Sequence, residues 1–221
     1  MAARDEVLAR LRNARDAGAP PAPVVVPRAY HSTGRFAAGT EDVVARLDET
    51  LTDYKATVTR VAAEDEVPAA VAAFLDGART VVVPPGLPGA WLAAFPGDVR
   101  TDDPPLSVAE LDDTDAVVTG AAVAIADTGT FVLSVAAPDQ GRRAITLVPD
   151  HHVCVIRAAD VVCSVPEGIA RLDPTRPLTF VSGPSATSDI ELDRVEGVHG
   201  PRRLDVVLVG GLRPPEHYSV S

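Results

Sequence analysis

From about Thr57 the chain alternates strand-like runs with short helix-like segments. Runs such as Thr80 to Val83 and Ala116 to Thr119 carry almost nothing polar on either side. A strand without a polar face has to be covered on both sides, so these runs call for a buried sheet with helices packed on it. Aromatic residues make up only 4% of the sequence, so Val, Leu, Ile and Ala must build that core.

The periodicity places a helix after Thr40, where Val43, Val44, Leu47 and Leu51 form one apolar face. Glu41 and Asp42 suit the positive end of that helix, and Thr40 is its expected N-cap. A strand follows at Val58 to Ala62, then a helix at Val67 to Leu75, a strand at Thr80 to Val83 and a short helix at Trp91 to Phe95. Ser107 and Glu110 have capping-box spacing at the start of another short helix. The second half is richer in strands: Ala116 to Thr119, Val123 to Ala126, Thr130 to Val135, Ala144 to Val148, Val153 to Ile156, Leu178 to Val181 and Asp205 to Val209. Pro166 to Leu172 reads as a helix. The expected fold class is therefore α/β, a single-domain mixed sheet flanked by helices. Residues 1–39 are expected to form a charged N-terminal helix, Asp5 to Arg15, and an extended Pro-rich arm; residues 40–221 are expected to form the α/β domain.

The formal charge of −11 and the lack of a basic cluster argue against nucleic acid and anionic lipid as partners. The first fifteen residues have no apolar signal region, and the longest apolar-rich run, Ala116 to Ala126, is too short to span a bilayer. The expected location is the cytoplasm. The two cysteines, Cys154 and Cys163, are too few for a disulfide framework and lack the spacing of a zinc or iron–sulfur site. His151 and His152 are neighbours, so on a strand they face opposite ways and cannot share a metal. No cofactor and no metal are expected in this chain.

The segment Thr179 to Glu191 offers the clearest candidate site. A buried strand ends in Ser182 and Gly183, and Ser185, Thr187 and Ser188 follow. Small residues let backbone N–H groups approach a ligand, and hydroxyls beside a helical turn suit phosphate or carboxylate. The same pattern also reads as a Gly-Pro turn with a Ser/Thr cap. Thr119-Gly120 and Asp127-Thr128-Gly129 are further polar turns. Asp127 is a candidate general base, cation ligand or hydroxyl ligand, or simply a solvated turn residue. Gly141-Arg142-Arg143 offers the charge an anion needs, with Arg142 the residue expected to supply it, or a surface loop paired with nearby acids. His199, in Gly197-Val198-His199-Gly200-Pro201, is a candidate acid–base or ligand-binding residue, or a loop-holding one.

The order of these motifs is more specific than any one of them. Val118-Thr-Gly-Ala, Ala124-Ile-Ala-Asp-Thr-Gly-Thr130, Gly141-Arg142, Leu147-Val-Pro-Asp-His151, Ser182-Gly-Pro-Ser-Ala-Thr-Ser-Asp-Ile-Glu191 and Gly197-Val-His-Gly-Pro201 follow one another. This succession resembles the LUD domain, the domain of lactate-utilisation protein C and its relatives, over roughly Val58 to Gly210. Asp127 stands where that family usually carries Glu. The resemblance implies a fold similar to the phosphosugar isomerase, CoA-transferase and formyltetrahydrofolate cyclo-ligase group. It also implies a part in oxidising L-lactate to pyruvate beside separate iron–sulfur proteins, as an accessory or ligand-binding subunit. The alternative reading is a stand-alone enzyme on a small phosphorylated or carboxylated metabolite. The ligand residues then expected are Thr119, Gly120, Thr128, Gly129, Arg142, Ser182, Gly183, Ser185, Thr187 and His199, with Asp127 and His199 as the catalytic candidates.

Overall fold

The computed structural model describes residues 3–18, 26, 29–187, 195–196 and 200–210. The chain divides into two compact units, Met1–Tyr30 and His31–Ser221. In the first unit one helix, α1 (Ala3–Ala17), has Asp5 and Glu6 in its first turn and Arg15 in its last, as the helix dipole favours.

The second unit holds the α/β body. Its helices are α2 (Glu41–Asp53), α3 (Val67–Phe74), α4 (Val108–Asp112) and α5 (Val165–Ala170). A parallel sheet is built from β1 (Thr57–Val61), β2 (Thr80–Val83), β3 (Asp98–Thr101), β4 (Ala116–Thr119), β7 (His151–Arg157) and β12 (Arg203–Val209), in the order β1-β12-β7-β4-β2-β3. A smaller sheet holds β5 (Val123–Ile125), β6 (Thr130–Ser134), β8 (Val161–Val162) and β9 (Leu178–Val181), in the order β8-β5-β6-β9. In it β5 pairs antiparallel with β6 and parallel with β8. Short strands β10 (Ala186–Thr187) and β11 (Val195–Glu196) pair with each other. The expected α/β class is what the chain adopts, with its strands shared between these sheets.

Alternation along the central strands decides what each face of the large sheet meets. Val153 and Val155 of β7, with Val207 and Val209 of β12, pack on Val67, Val71 and Phe74 of α3 and on Trp91. Cys154 and Ile156, with Leu204, Val206 and Leu208, face the other way. They meet Val43, Val44, Leu47 and Leu51 of α2 and Phe131 and Leu133 of the smaller sheet. The smaller sheet thus packs on this face of β7 and β12.

Ala144 to Val148, expected to be a strand, is instead a 3-10 turn over Arg143–Thr146. A five-residue apolar run fits a strand or one buried turn equally well. Here the turn drops Ile145 onto Val82, Leu111 and Val117, away from either ladder. The polar edge strand β3 carries no apolar alternation, and the expectation omitted it. Thr40 stands at the N-cap of α2, but its hydroxyl donates to the Ala37 carbonyl instead of capping the helix. The capping box is formed: Ser107 Oγ accepts from Glu110 N, and the Glu110 carboxylate accepts from Ser107 N at 2.7 Å. Ser107→Ala should lower the unfolding free energy by about 1 kcal/mol, as measured by chemical denaturation.

Candidate functional site

A cavity of about 250 Å³ opens between the two sheets. Leu204 and His152, the second residues of β12 and β7, form part of its wall. Phe180, Ser182, Gly183 and Ser185, from β9 and the loop after it, form another part. Arg143, Thr146 and Leu147, from the turn before β7, and Gly200 and Pro201 complete it. Its volume lies below the roughly 300–1,000 Å³ of sites for drug-sized ligands, so it suits a small metabolite.

The loop after β9 is held from several sides. Gly183 has φ +85, and a Cβ there would come within 2.5 Å of the Tyr54 carbonyl oxygen, so only glycine lets the loop pass over the end of α2. Ser182 Oγ shares a 2.7 Å hydrogen bond with Thr130 Oγ1, which also accepts from Thr128 Oγ1 at 2.8 Å. The Ser185 N–H donates to the Pro201 carbonyl at 2.8 Å.

At the floor, His152 is 1% exposed. Its Nε2 lies 2.8 Å from Thr119 Oγ1, and its ring meets Phe131 edge-on at 5.8 Å. Burial, with a smaller push from neighbouring His151, lowers its pKa from 6.5 to about 3, so the imidazole is neutral at physiological pH. Among the described residues Arg143 is the one charged residue in the cavity wall, and it has no salt bridge there. In a chain of net charge −11, a wall whose described residues include one cation and no carboxylate is a local reversal of sign.

The structure distributes the expected site residues unevenly. Ser182, Gly183 and Ser185 line the cavity, and Thr119 touches its floor through His152. Gly120 lies outside the wall, against Asp139: its N–H donates to the Asp139 carbonyl, and a Cβ would meet Asp139 Oδ2 at 2.3 Å. Gly129 has φ +56 and packs on the backbone of Thr50. Thr128 reaches the Ser182 loop only through Thr130. Asp127 is exposed, with Oδ1 3.7 Å from Cys163 Sγ. Arg142 donates to both carboxylate oxygens of Asp102, at 2.7 and 2.9 Å, and to the Leu106 carbonyl at 2.6 Å. Thr187 lies in β10, opposite Val195, and its side chain is outside the described residues, as is the whole of His199.

His152 enters the site without having been singled out as a ligand residue, and Arg143, named in the sequence with its neighbour as a source of charge, takes the place expected of Arg142. For His152 a signal exists: on a strand with Cys154 and Ile156, it is the one polar residue on a face that is otherwise core. For Arg143 only the turn, which the apolar run concealed, separates it from Arg142. Among the described residues no group of three His, Cys, Asp or Glu side chains is gathered as around a metal ion, and no helix is long and apolar enough to cross a membrane.

The family model described as the LUD domain matches residues 108–209. The chain is 53% identical over 173 residues to "Lactate utilization protein C" of Deinococcus radiodurans, covering 76% of this chain and 80% of that protein. It is 30% identical over 100 residues to the protein of that name from Bacillus subtilis, covering 42% of this chain and 41% of the relative. The crystal structure of a DUF162 family protein from Deinococcus radiodurans superposes with a TM-score of 0.66 at 45% identity, over 76% of this chain and 97% of that one. By this likeness of sequence and fold the chain belongs to the LUD-domain family of lactate utilization protein C.

Proposed function

We propose that this chain is a component of an L-lactate utilisation system. It acts beside separate iron–sulfur proteins that take the electrons as lactate becomes pyruvate, and its own part is to bind a small carboxylate between the two sheets. The observation that carries this reading is the cavity wall, in which Arg143 is the one charged residue among those described. A guanidinium holds a carboxylate in a two-point fork, and Ser182 and Ser185 line the same cavity. The names of the relatives support the metabolic setting.

Calorimetric titration of the purified chain with L-lactate, pyruvate, sugar phosphates and folates tests the reading. A short carboxylate should bind, and Arg143→Ala should weaken it by about tenfold or more, the scale of one lost charge-assisted hydrogen bond. Absence of binding by every carboxylate would overturn the ligand-binding role. Loss of growth on L-lactate when the gene is deleted, restored by the wild-type gene, tests the metabolic setting. The second reading, a stand-alone enzyme on a small phosphorylated or carboxylated metabolite, draws on the neutral His152 at the cavity floor. Turnover by the chain alone, without iron–sulfur partners, would favour it.

A further inference from the structure

A neutral imidazole presents to a ligand either a donor or an acceptor, and the tautomer decides which. The groups behind His152 fix that choice. Behind the ring runs a chain of buried polar atoms: Thr119 Oγ1 is 2.8 Å from His152 Nε2 and 3.9 Å from Cys154 Sγ, and Cys154 Sγ is 3.6 Å from the Gly120 carbonyl oxygen. Thr119 and Cys154 are both fully buried, so water cannot supply missing partners. The end of the chain sets its direction. A carbonyl oxygen only accepts, so the Cys154 thiol donates to Gly120. The sulfur lone pairs then accept from the Thr119 hydroxyl. With its proton used in that direction, Thr119 Oγ1 meets His152 as an acceptor, and Nε2 carries the hydrogen. The opposite direction would turn the Thr119 proton toward Nε2 and forgo the hydrogen bond to sulfur, so the chain is most fully paired with the hydrogen on Nε2.

Nδ1 is then the ring nitrogen with a lone pair. It makes no hydrogen bond among the described residues, and it is not sealed off. The one buried side-chain polar atom without a partner among those residues is Oδ1 of Asp205. The small accessible area of His152 therefore serves Nδ1, and His152 is part of the cavity wall.

We infer that the Thr119–Cys154–Gly120 chain fixes His152 as the Nε2–H tautomer, and that the cavity therefore selects a 2-hydroxy acid over the 2-oxo acid of the same skeleton. The inference rests on the carboxylate reading above. With the carboxylate on Arg143, the 2-hydroxyl of the ligand donates to Nδ1. A ketone oxygen in its place would set two acceptors against each other, and an unsubstituted acid would leave Nδ1 dry and unpaired. His152 acts here as a specificity-determining residue and Thr119 as the residue that positions its proton.

Two measurements test this. The tautomer is read directly in the uniformly 15N-labelled wild-type protein by long-range proton–nitrogen correlation, which needs no ligand and no variant. The expected spectrum shows a protonated Nε2 and a bare Nδ1; a protonated Nδ1 overturns the inference whatever the cavity binds. Calorimetry then compares L-lactate, pyruvate and propionate. L-Lactate should bind about tenfold more tightly than either, the scale of one unmet hydrogen bond in a closed site. Equal affinities for all three would overturn hydroxyl selection while leaving carboxylate binding intact. Binding by none would overturn both the selection and the carboxylate reading. Thr119→Val removes the acceptor at Nε2 and should bring lactate and pyruvate to parity or reverse their order. An unchanged preference in the folded variant would also refute the inference.

Discussion

Arg142→Ala should destabilise the protein by about 3 kcal/mol while changing ligand affinity little, because its guanidinium completes the fold and not the cavity. Asp102 is the reason. Its side chain is 4% exposed, and it accepts two hydrogen bonds from Arg142 and a third from the Leu106 N–H. Arg142 in turn fastens the Leu106 carbonyl, so the pair ties the segment before α4 to the turn before β7. Removing Arg142 leaves a buried carboxylate without its countercharge, and breaking one side of such a pair is more harmful than never having it. Arg142 itself is 34% exposed, so water partly fills its place and the effect lies at the lower end of the roughly 3–5 kcal/mol range for buried pairs. Arg143→Ala should behave oppositely, with stability within about 0.5 kcal/mol of wild type and the loss confined to binding. Urea denaturation of both variants, each paired with a lactate titration of the folded protein, separates the roles. Equal stability of the two variants would refute the assignment, as would a loss of affinity in Arg142→Ala alone. A double-mutant cycle with Asp102→Asn should show that most of the Arg142 effect is coupled to that carboxylate.

These adjacent arginines also show how far the sequence could be read. An anion site in an acidic chain requires a local cation, and Gly141-Arg142-Arg143 is a natural place to look for one. What decides between the two arginines is the direction in which the next four residues turn. A strand over Ala144 to Val148 and a 3-10 turn from Arg143 are equally consistent with five mostly apolar residues. Where the pattern was not degenerate, reading was reliable. The Val-rich β2 and β4 have the bounds read from the sequence, and the turn between β5 and β6 carries Gly129 in the left-handed region. The polar edge strand β3 was invisible because it offers no face to the core. The division of the strands between two sheets was equally hidden. It depends on which face of β7 and β12 meets β6, a long-range fact that local periodicity does not contain. The cavity lies along that junction, which explains how His152 escaped notice: its partner Thr119 is 33 positions away in the sequence.

Between pH 6.5 and about 5, the stability of the protein should fall by about 2 kcal/mol through His152 alone. In the unfolded chain its imidazole titrates at the ordinary value of 6.5, whereas in the fold burial and the neighbouring His151 hold it near 3. At any pH between those values the unfolded chain binds a proton that the folded chain refuses, so acidification favours unfolding, by about 1.4 kcal/mol per pH unit once well below the upper value. The carboxylates do not obscure this window. Glu110 and Asp173 are held below their ordinary values by hydrogen bonds from Ser107 and Thr175, so they add to acid lability only at lower pH. Burial raises Asp48 and Asp160, and as pH falls through their folded values they oppose the trend rather than mimic it. Urea unfolding of wild type and His152→Gln across this range isolates the histidine. The wild type should lose stability steeply and the variant much less, so the difference between the curves, not either curve alone, carries the result. Parallel curves would mean that His152 accepts a proton in the folded state. A charged His152 would then be a donor at both nitrogens and a second cation beside Arg143, and the cavity could no longer tell a hydroxyl from a ketone by its one lone pair. The same low pKa that makes the fold acid-sensitive thus keeps that lone pair in place at neutral pH.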